Sequence, residues 1–173
     1  MVTIRSKRIK LRPFENKDIE VLVKILNDKE IYKNTLTIPY PYTLKHARNW
    51  VNFNLRQKNK KNKLAINFAI EVDGRLVGGI GLSNIVRDHK AEIGYWMGKE
   101  YRGQGIATEA IKLITEYALG KLKLKRVYAT IFPWNEASKR VVKKNDYEFE
   151  GILKKYHKKG NKLIDAHFFA KVK

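Results

Sequence analysis

YRGQGIAT, residues Tyr101 to Thr108, stands at the head of Ile106 to Leu119, a run with the apolar spacing of an amphipathic helix. Glycine costs about 1 kcal/mol against alanine inside a helix. Two of them at its threshold therefore mark a place where the backbone is approached closely. The turn falls between a strand pattern and a helix pattern, so its free N–H groups sit at the positive end of a helix dipole. An anion suits such a site. The spacing is not the dinucleotide-binding fingerprint, because the third glycine is missing and the preceding strand ends an antiparallel meander. No Walker lysine is present. On these residues alone, a turn chosen for its geometry accounts for the glycines equally well.

Working outward, Ile106, Ala110, Leu113, Ile114 and Tyr117 share one helical face, Glu109, Lys112 and Glu116 the other, and Gly120 can end the helix. Upstream, Ile66, Phe68, Ile70 and Val72 alternate as in a half-buried strand. Asp73-Gly74 is a hairpin turn into a strand over Arg75 to Leu82, and Ala91 to Met97 completes the meander. Before it, residues 3–12 alternate as a first strand that Pro13 ends. Asn16 can cap a helix carrying Ile19, Leu22, Val23 and Leu26. Pro39 and Pro41 break the chain, and Thr43 can cap a second helix with Leu44, Ala47, Trp50 and Val51 on its apolar stripe. Downstream come a strand from Arg126 to Phe132, a short helix from Asn135 to about Lys144, and strands over Tyr147 to Leu153 and Leu163 to Lys171. No repeat or linker interrupts this order, so residues 1–173 read as a single domain.

The composition narrows the class. A chain of 173 residues that is 43% hydrophobic, with three Trp, nine Tyr and seven Phe, has the makings of a packed core. No apolar stretch approaches the ~18 residues of a membrane span, and the first residues lack the apolar centre of a signal peptide. With no cysteine there is no disulfide framework, thiolate metal site or cysteine nucleophile, and a cytoplasmic home is expected. Against 17 acidic residues stand 37 Lys and Arg, a net charge of +20 that attracts polyanions and repels cationic partners. The densest basic run, KNKKNK from Lys58 to Lys63, has no interleaved aromatics and reads as a solvated loop before a nucleic-acid patch.

Arg102, Gly105 and Ala107 match the Q/R-x-x-G-x-G/A pattern of the GNAT superfamily of acetyl-CoA-dependent N-acetyltransferases. From AEIGYW (Ala91 to Trp96) through EYRGQGIATEA to NEASKRVVKKNDYEFEG (Asn135 to Gly151), the chain resembles the branch containing ribosomal-protein alanine N-acetyltransferases. KRIKLRPFENKD and YPYTLKHARNW extend the resemblance upstream. It implies an α/β (α+β) fold: a mixed, mostly antiparallel central sheet of about six to seven strands flanked by about four helices. It also implies acetyl-CoA as co-substrate and no metal. The pyrophosphate is then expected over Arg102, Gly103, Gln104, Gly105, Ile106, Ala107 and Thr108, the oxyanion near the backbone of Trp96 and Met97, and the pantetheine arm at Asn135. The acceptor is an amine, with a protein N-terminus favoured, ribosomal proteins first, and small-molecule amines or polyamines as alternatives. A non-catalytic ribosome- or RNA-binding module with the same fold is a further alternative. Ribosome association through the basic surface fits the charge, and either a monomer or a homodimer is open.

Acetyl transfer from a thioester to an amine needs a neutral amine, a polarised carbonyl and a route for the proton. By position, the resemblance makes Glu92 the candidate base and His157 a second. Glu92 pairing with a neighbouring Lys or Arg is the competing structural account. Val142 occupies the place where many relatives have a tyrosine that protonates the departing thiolate, which leaves Ser138 as a candidate donor. Asp146-Tyr147 replaces the family's Gly-Phe pair, and aspartate takes the left-handed backbone more readily than most residues. His46, His89 and His167 show no metal-ligand spacing, and Tyr40 and Tyr42 are candidates for the acceptor wall.

Overall fold

The computed structural model describes residues 2–57 and 65–173, so the KNKKNK run lies outside the described residues. The alternating segment over residues 3–12 forms two short strands, β1 (Ile4–Arg5) and β2 (Lys10–Arg12), instead of one. The reason is Ser6: its Oγ accepts the N–H of Arg8 at 3.2 Å and of Ile9 at 3.1 Å, turning the chain back on itself. Register Ile4↔Leu11 preserves the alternation across the turn.

Six more strands follow: β3 (Ala65–Val72), β4 (Arg75–Val86), β5 (Lys90–Met97), β6 (Arg126–Ile131), β7 (Glu148–Lys159) and β8 (Lys162–Val172). They make one eight-stranded sheet in the order β1-β2-β3-β4-β5-β6-β8-β7, slightly larger than expected because of the split first strand. Asp73 and Gly74 turn between β3 and β4 with φ of 48° and 75°, the paired left-handed geometry that an Asp-Gly hairpin supplies.

Among the described residues five helices cover the sheet: α1 (Ile19–Leu26), α2 (Lys29–Asn34), α3 (Leu44–Gln57), α4 (Ile106–Gly120) and α5 (Glu136–Lys143). Periodicity missed α2, whose six residues make less than two turns; Asp28 caps it, accepting the Glu30 N–H at 2.7 Å. Asn16 does not cap α1 but opens a single 3-10 turn, Asn16–Asp18, ahead of it. Asp146 takes φ of 60°, so the aspartate does adopt the left-handed backbone.

Two cores sandwich the sheet. On one face α4 buries Ile106, Ile111 and Ile114 against Phe68, Leu82 and Val127; on the other Phe14, Leu22 and Val51 pack with Ala69 and Leu76. Each fully buried aliphatic or aromatic side chain contributes about 1.5–3 kcal/mol relative to exposure. Arg12, 3% exposed, joins the second layer to the sheet by a two-pronged pair with Asp18 at 2.8 Å and a further pair with Glu71. Removing either side of such a buried pair is costly because the other charge is stranded.

The feature that positions the site is an opening in the sheet. β5 and β6 form its one parallel pair, and their pairing covers only Lys90↔Arg126, Ala91↔Val127 and Glu92↔Tyr128. Both strands continue, β5 to Met97 and β6 to Ile131, without pairing further. β5 meanwhile stays paired with β4 as far as Gly78↔Met97. The two strands therefore part beyond Glu92, leaving the β6-facing edge of Ile93 to Met97 without a strand partner.

Candidate active site

The glycine turn has the form the sequence anticipated. Gly103 and Gly105 have φ of 74° and 78°, and Gly105 is the N-cap of α4. Among the described residues, the amide N–H groups of Gly103 through Thr108 have no protein acceptor, and the first ladder bond is Glu109 N–H to Gly105 O at 3.1 Å. Gln104 folds its side chain back to donate to Glu100 O at 2.8 Å, leaving the turn open. These amides fit a phosphate, the group on acetyl-CoA that the turn would hold.

The side chains around the turn are arranged less predictably. Arg102 donates from Nη1 to Glu30 and from Nη2 to Asp28, each at 2.6 Å, and from Nε to Met97 O at 3.2 Å. Its guanidinium therefore ties α2 to the turn. Burial tends to raise the Asp28 carboxyl, but the Glu30 N–H and Arg102 outweigh this and hold it below its ordinary value. The charge nearest Gly105 comes instead from Arg8, whose Nη1 donates to Gln104 O at 2.7 Å. Sequence reading passed over Arg8, because only the β1–β2 turn brings it across 96 residues of chain.

Glu92 and His157 come together through a residue that sequence reading did not single out. Thr130 Oγ1 donates to Glu92 Oε1 and lies 3.1 Å from His157 Nε2, while Asn84 Nδ2 donates to Glu92 Oε2 at 2.8 Å. The threonine proton goes to the carboxylate, so its lone pair accepts from a His157 protonated at Nε2. Burial, partly offset by the Glu92 charge, lowers His157 below its usual value, so the imidazole is neutral at neutral pH. No Lys or Arg pairs with Glu92 among the described residues. The competing account of Glu92 as a surface ion-pair partner thus finds no support.

Both groups open on a cleft of about 1060 Å³ that reaches from the α1–α3 side of the sheet to Asn135 and Ser138 at the head of α5. Its walls carry Phe14, Tyr42, Trp50, Phe53, Phe132 and Tyr156. Among the described residues lining it, Glu92 is the one carboxylate, and none is Lys or Arg. Tyr42 belongs to this wall, whereas Tyr40 does not and lines a separate depression beside Lys29. Asn135 caps α5, its Oδ1 accepting the Ser138 N–H at 3.1 Å. Ser138 Oγ lies 2.7 Å from Tyr95 Oη, a second pairing unseen in the sequence.

Strand alternation puts the Met97 N–H on the unpaired edge of β5, where it is available to a developing oxyanion, whereas the Trp96 N–H faces β4 like that of Gly98, which donates to Val77 O at 2.9 Å, so the expectation for the Trp96 amide is not met. Paired glycines on β4 make room for Trp96 and Met97. A Cβ on Gly79 would lie 2.6 Å from the Trp96 ring, and one on Gly78 2.7 Å from Met97 Sδ. Gly94, next along the cleft, has open space where a side chain would be.

Residues 8–148 match the acetyltransferase (GNAT) domain family. The uncharacterized N-acetyltransferase YnaD of Bacillus subtilis (strain 168) is 32% identical, over 96% of this chain and 95% of its own. A crystal structure of a GNAT-family acetyltransferase from Bacillus anthracis superposes with a TM-score of 0.87 at 31% identity, covering 99% of this chain and 98% of that one. RimL, a ribosomal L7/L12 alpha-N-protein acetyltransferase solved with coenzyme A, has the same fold, with a TM-score of 0.88 at 19% identity over 99% and 98% of the two chains. Two Escherichia coli (strain K12) relatives at 27% identity are named for other acceptors: L-amino acid N-acetyltransferase AaaT, over 95% of this chain and 98% of its own, and spermidine N(1)-acetyltransferase, over 84% and 75%.

Proposed function

This chain belongs to the GNAT family of acetyltransferases, and from that premise we propose that it acetylates the N-terminal α-amine of a protein, a ribosomal protein first, with acetyl-CoA as donor. The observation that carries the reading is the acceptor cleft, walled by aromatic residues and holding a single carboxylate, Glu92, among its described lining residues. One carboxylate is enough to receive one amine. It is too few to hold a polyamine, whose remaining charges would face an uncharged aromatic wall and a protein field of +20.

In this reading, acetyl-CoA brings a thioester carbonyl, its phosphates on the amides of Gly103 to Thr108. Glu92, oriented by Asn84 and Thr130, takes the amine proton directly or through water, with neutral His157 behind Thr130 fixing the direction of its hydroxyl. The Met97 amide, on the unpaired edge of β5, stabilises the oxyanion. Ser138 supplies the proton for the leaving sulfur, since Val142, fully buried, has none to give. The basic surface draws the enzyme toward ribosomal RNA, where nascent and assembled ribosomal proteins present their N-termini.

Thiol release from acetyl-CoA, measured across α-amino peptides, lysine peptides, free amino acids and spermidine, tests this. An α-amino peptide as best acceptor is expected, and an L-amino acid preferred over every peptide would move the assignment to small molecules.

A further inference from the structure

We propose that Tyr95 acts through Ser138 as a two-hydroxyl relay that returns a proton to the departing sulfur from the sheet face opposite Glu92. The proposal rests on the acetyl-transfer reading of the cleft and adds the route of the second proton. Side chains alternate along a strand, so Glu92, Gly94 and Trp96 share one face of β5 and Tyr95 the other. Packing agrees: Trp96 lies against the core under α1–α3, Tyr95 against the core under α4. Both Tyr95 and Ser138 nevertheless line the cleft, because the parting of β5 from β6 lets it pass through the sheet.

The two oxygens are 2.7 Å apart, while the Ser138 carbonyl, at 3.4 Å from Tyr95 Oη, is a weaker alternative partner. The Asn135 cap fixes the first turn of α5, and with it the position of Ser138. Burial pushes the Tyr95 phenol up to about 12, against a smaller opposing effect of its bond to Ser138. The phenol therefore keeps its proton through the neutral range and can hydrogen-bond to Ser138 Oγ throughout it. A serine hydroxyl alone is a feeble acid; one that accepts from a phenol is polarised toward releasing its own proton.

The step balances as follows. The amine nitrogen bonds to the carbonyl carbon, the C–S bond breaks, and sulfur departs with the electron pair. Ser138 gives its Oγ proton to the sulfur and takes the Oη proton of Tyr95. The phenolate then recovers a proton from water, while the amine proton leaves through Glu92 on the opposite face. Tyr95 is thus a positioning and supply residue, and Ser138 is the group that touches the sulfur.

The test compares wild type with Tyr95→Phe, Ser138→Ala and Ser138→Thr, using the whole chain and the best α-amino peptide. Tyr95→Phe should lower kcat for thiol release about tenfold with KM for acetyl-CoA unchanged, and Ser138→Thr should keep most of the rate that Ser138→Ala loses. Calorimetry gives a readout free of turnover. CoA should bind more tightly than CoA lacking its thiol, increasingly so between about pH 7 and about pH 9.5 as the thiol ionises, and Tyr95→Phe should flatten that rise. Wild-type kcat together with an unchanged rise in Tyr95→Phe would overturn the relay. A wild-type protein that binds CoA yet releases no thiol with any amine overturns the acetyl-transfer reading, and the relay with it.

Discussion

At the scale of single residues, Glu92, the proposed base, has two fixed donors and one neutral histidine nearby. An α-amine of pKa ~8 is about one-tenth neutral at pH 7, whereas a lysine of ~10.4 is well under 1% neutral. Glu92→Gln should therefore lower kcat/KM for an α-amino peptide about a hundredfold at neutral pH, and by much less at high pH where free amine is plentiful. A loss equal at every pH would make Glu92 structural. His157 carries its own prediction. Its folded pKa lies below the ordinary ~6.5, so its stabilising contribution is fully present above that value and is lost as pH falls toward the folded pKa. His157→Gln should flatten the fall of Tm on acidification through this range, and an unchanged slope would contradict the buried neutral imidazole. Glu92 and His157 were legible one at a time, from a family position each. Thr130 and Asn84 were not, because what joins them is strand pairing: Thr130 reaches Glu92 only through the register Glu92↔Tyr128.

At the scale of elements, the glycine turn and α4 could be read directly, since left-handed backbone at Gly103 and Gly105 and a 15-residue amphipathic helix are both local properties. What escaped was whatever depends on distant partners. The Ser6 turn divides a well-patterned strand, α2 is too short to show a period, and the buried face of α4 is rotated from the expected stripe to include Ile111, Thr115 and Ala118. Arg102 acquires a second role. Its motif position suggests a phosphate contact, and its two carboxylate partners also tie α2 to the turn. Arg102→Met should then cost on the order of 1 kcal/mol, a Tm fall of roughly 2–4 °C for a domain of this size, and leave acetyl-CoA affinity nearly unchanged. A large affinity loss at constant Tm would show that the guanidinium leaves α2 for the phosphate. On β4, Gly79→Ala places a Cβ 2.6 Å from the Trp96 ring. Overpacking of this kind costs about 1–3 kcal/mol, and displacement of Trp96 should be visible in its fluorescence. Wild-type stability and fluorescence in this variant would contradict the close approach of β4 to Trp96.

At the scale of the whole molecule, the sheet's opening between β5 and β6 puts the two proposed duties on opposite faces, amine activation by Glu92 on one and sulfur protonation by Ser138 on the other. A net charge of +20 surrounds a cleft whose described lining holds one carboxylate and no Lys or Arg. In the proposed reading, long-range steering and local recognition work together: the surface field favours an acceptor near polyanionic RNA, and the cleft favours a single amine flanked by apolar groups. The steering part is screened by salt, with a Debye length of about 10 Å at 0.1 M, so capture of a peptide carrying acidic residues should weaken as salt rises. The measurement that tests the central claim most directly is the specificity constant, kcat/KM for thiol release from acetyl-CoA, for α-amino peptides and for spermidine at low and moderate salt. The α-amino peptides should be preferred at both, with spermidine improving as salt screens its repulsion; a value for spermidine above that of every α-amino peptide would contradict the choice of acceptor.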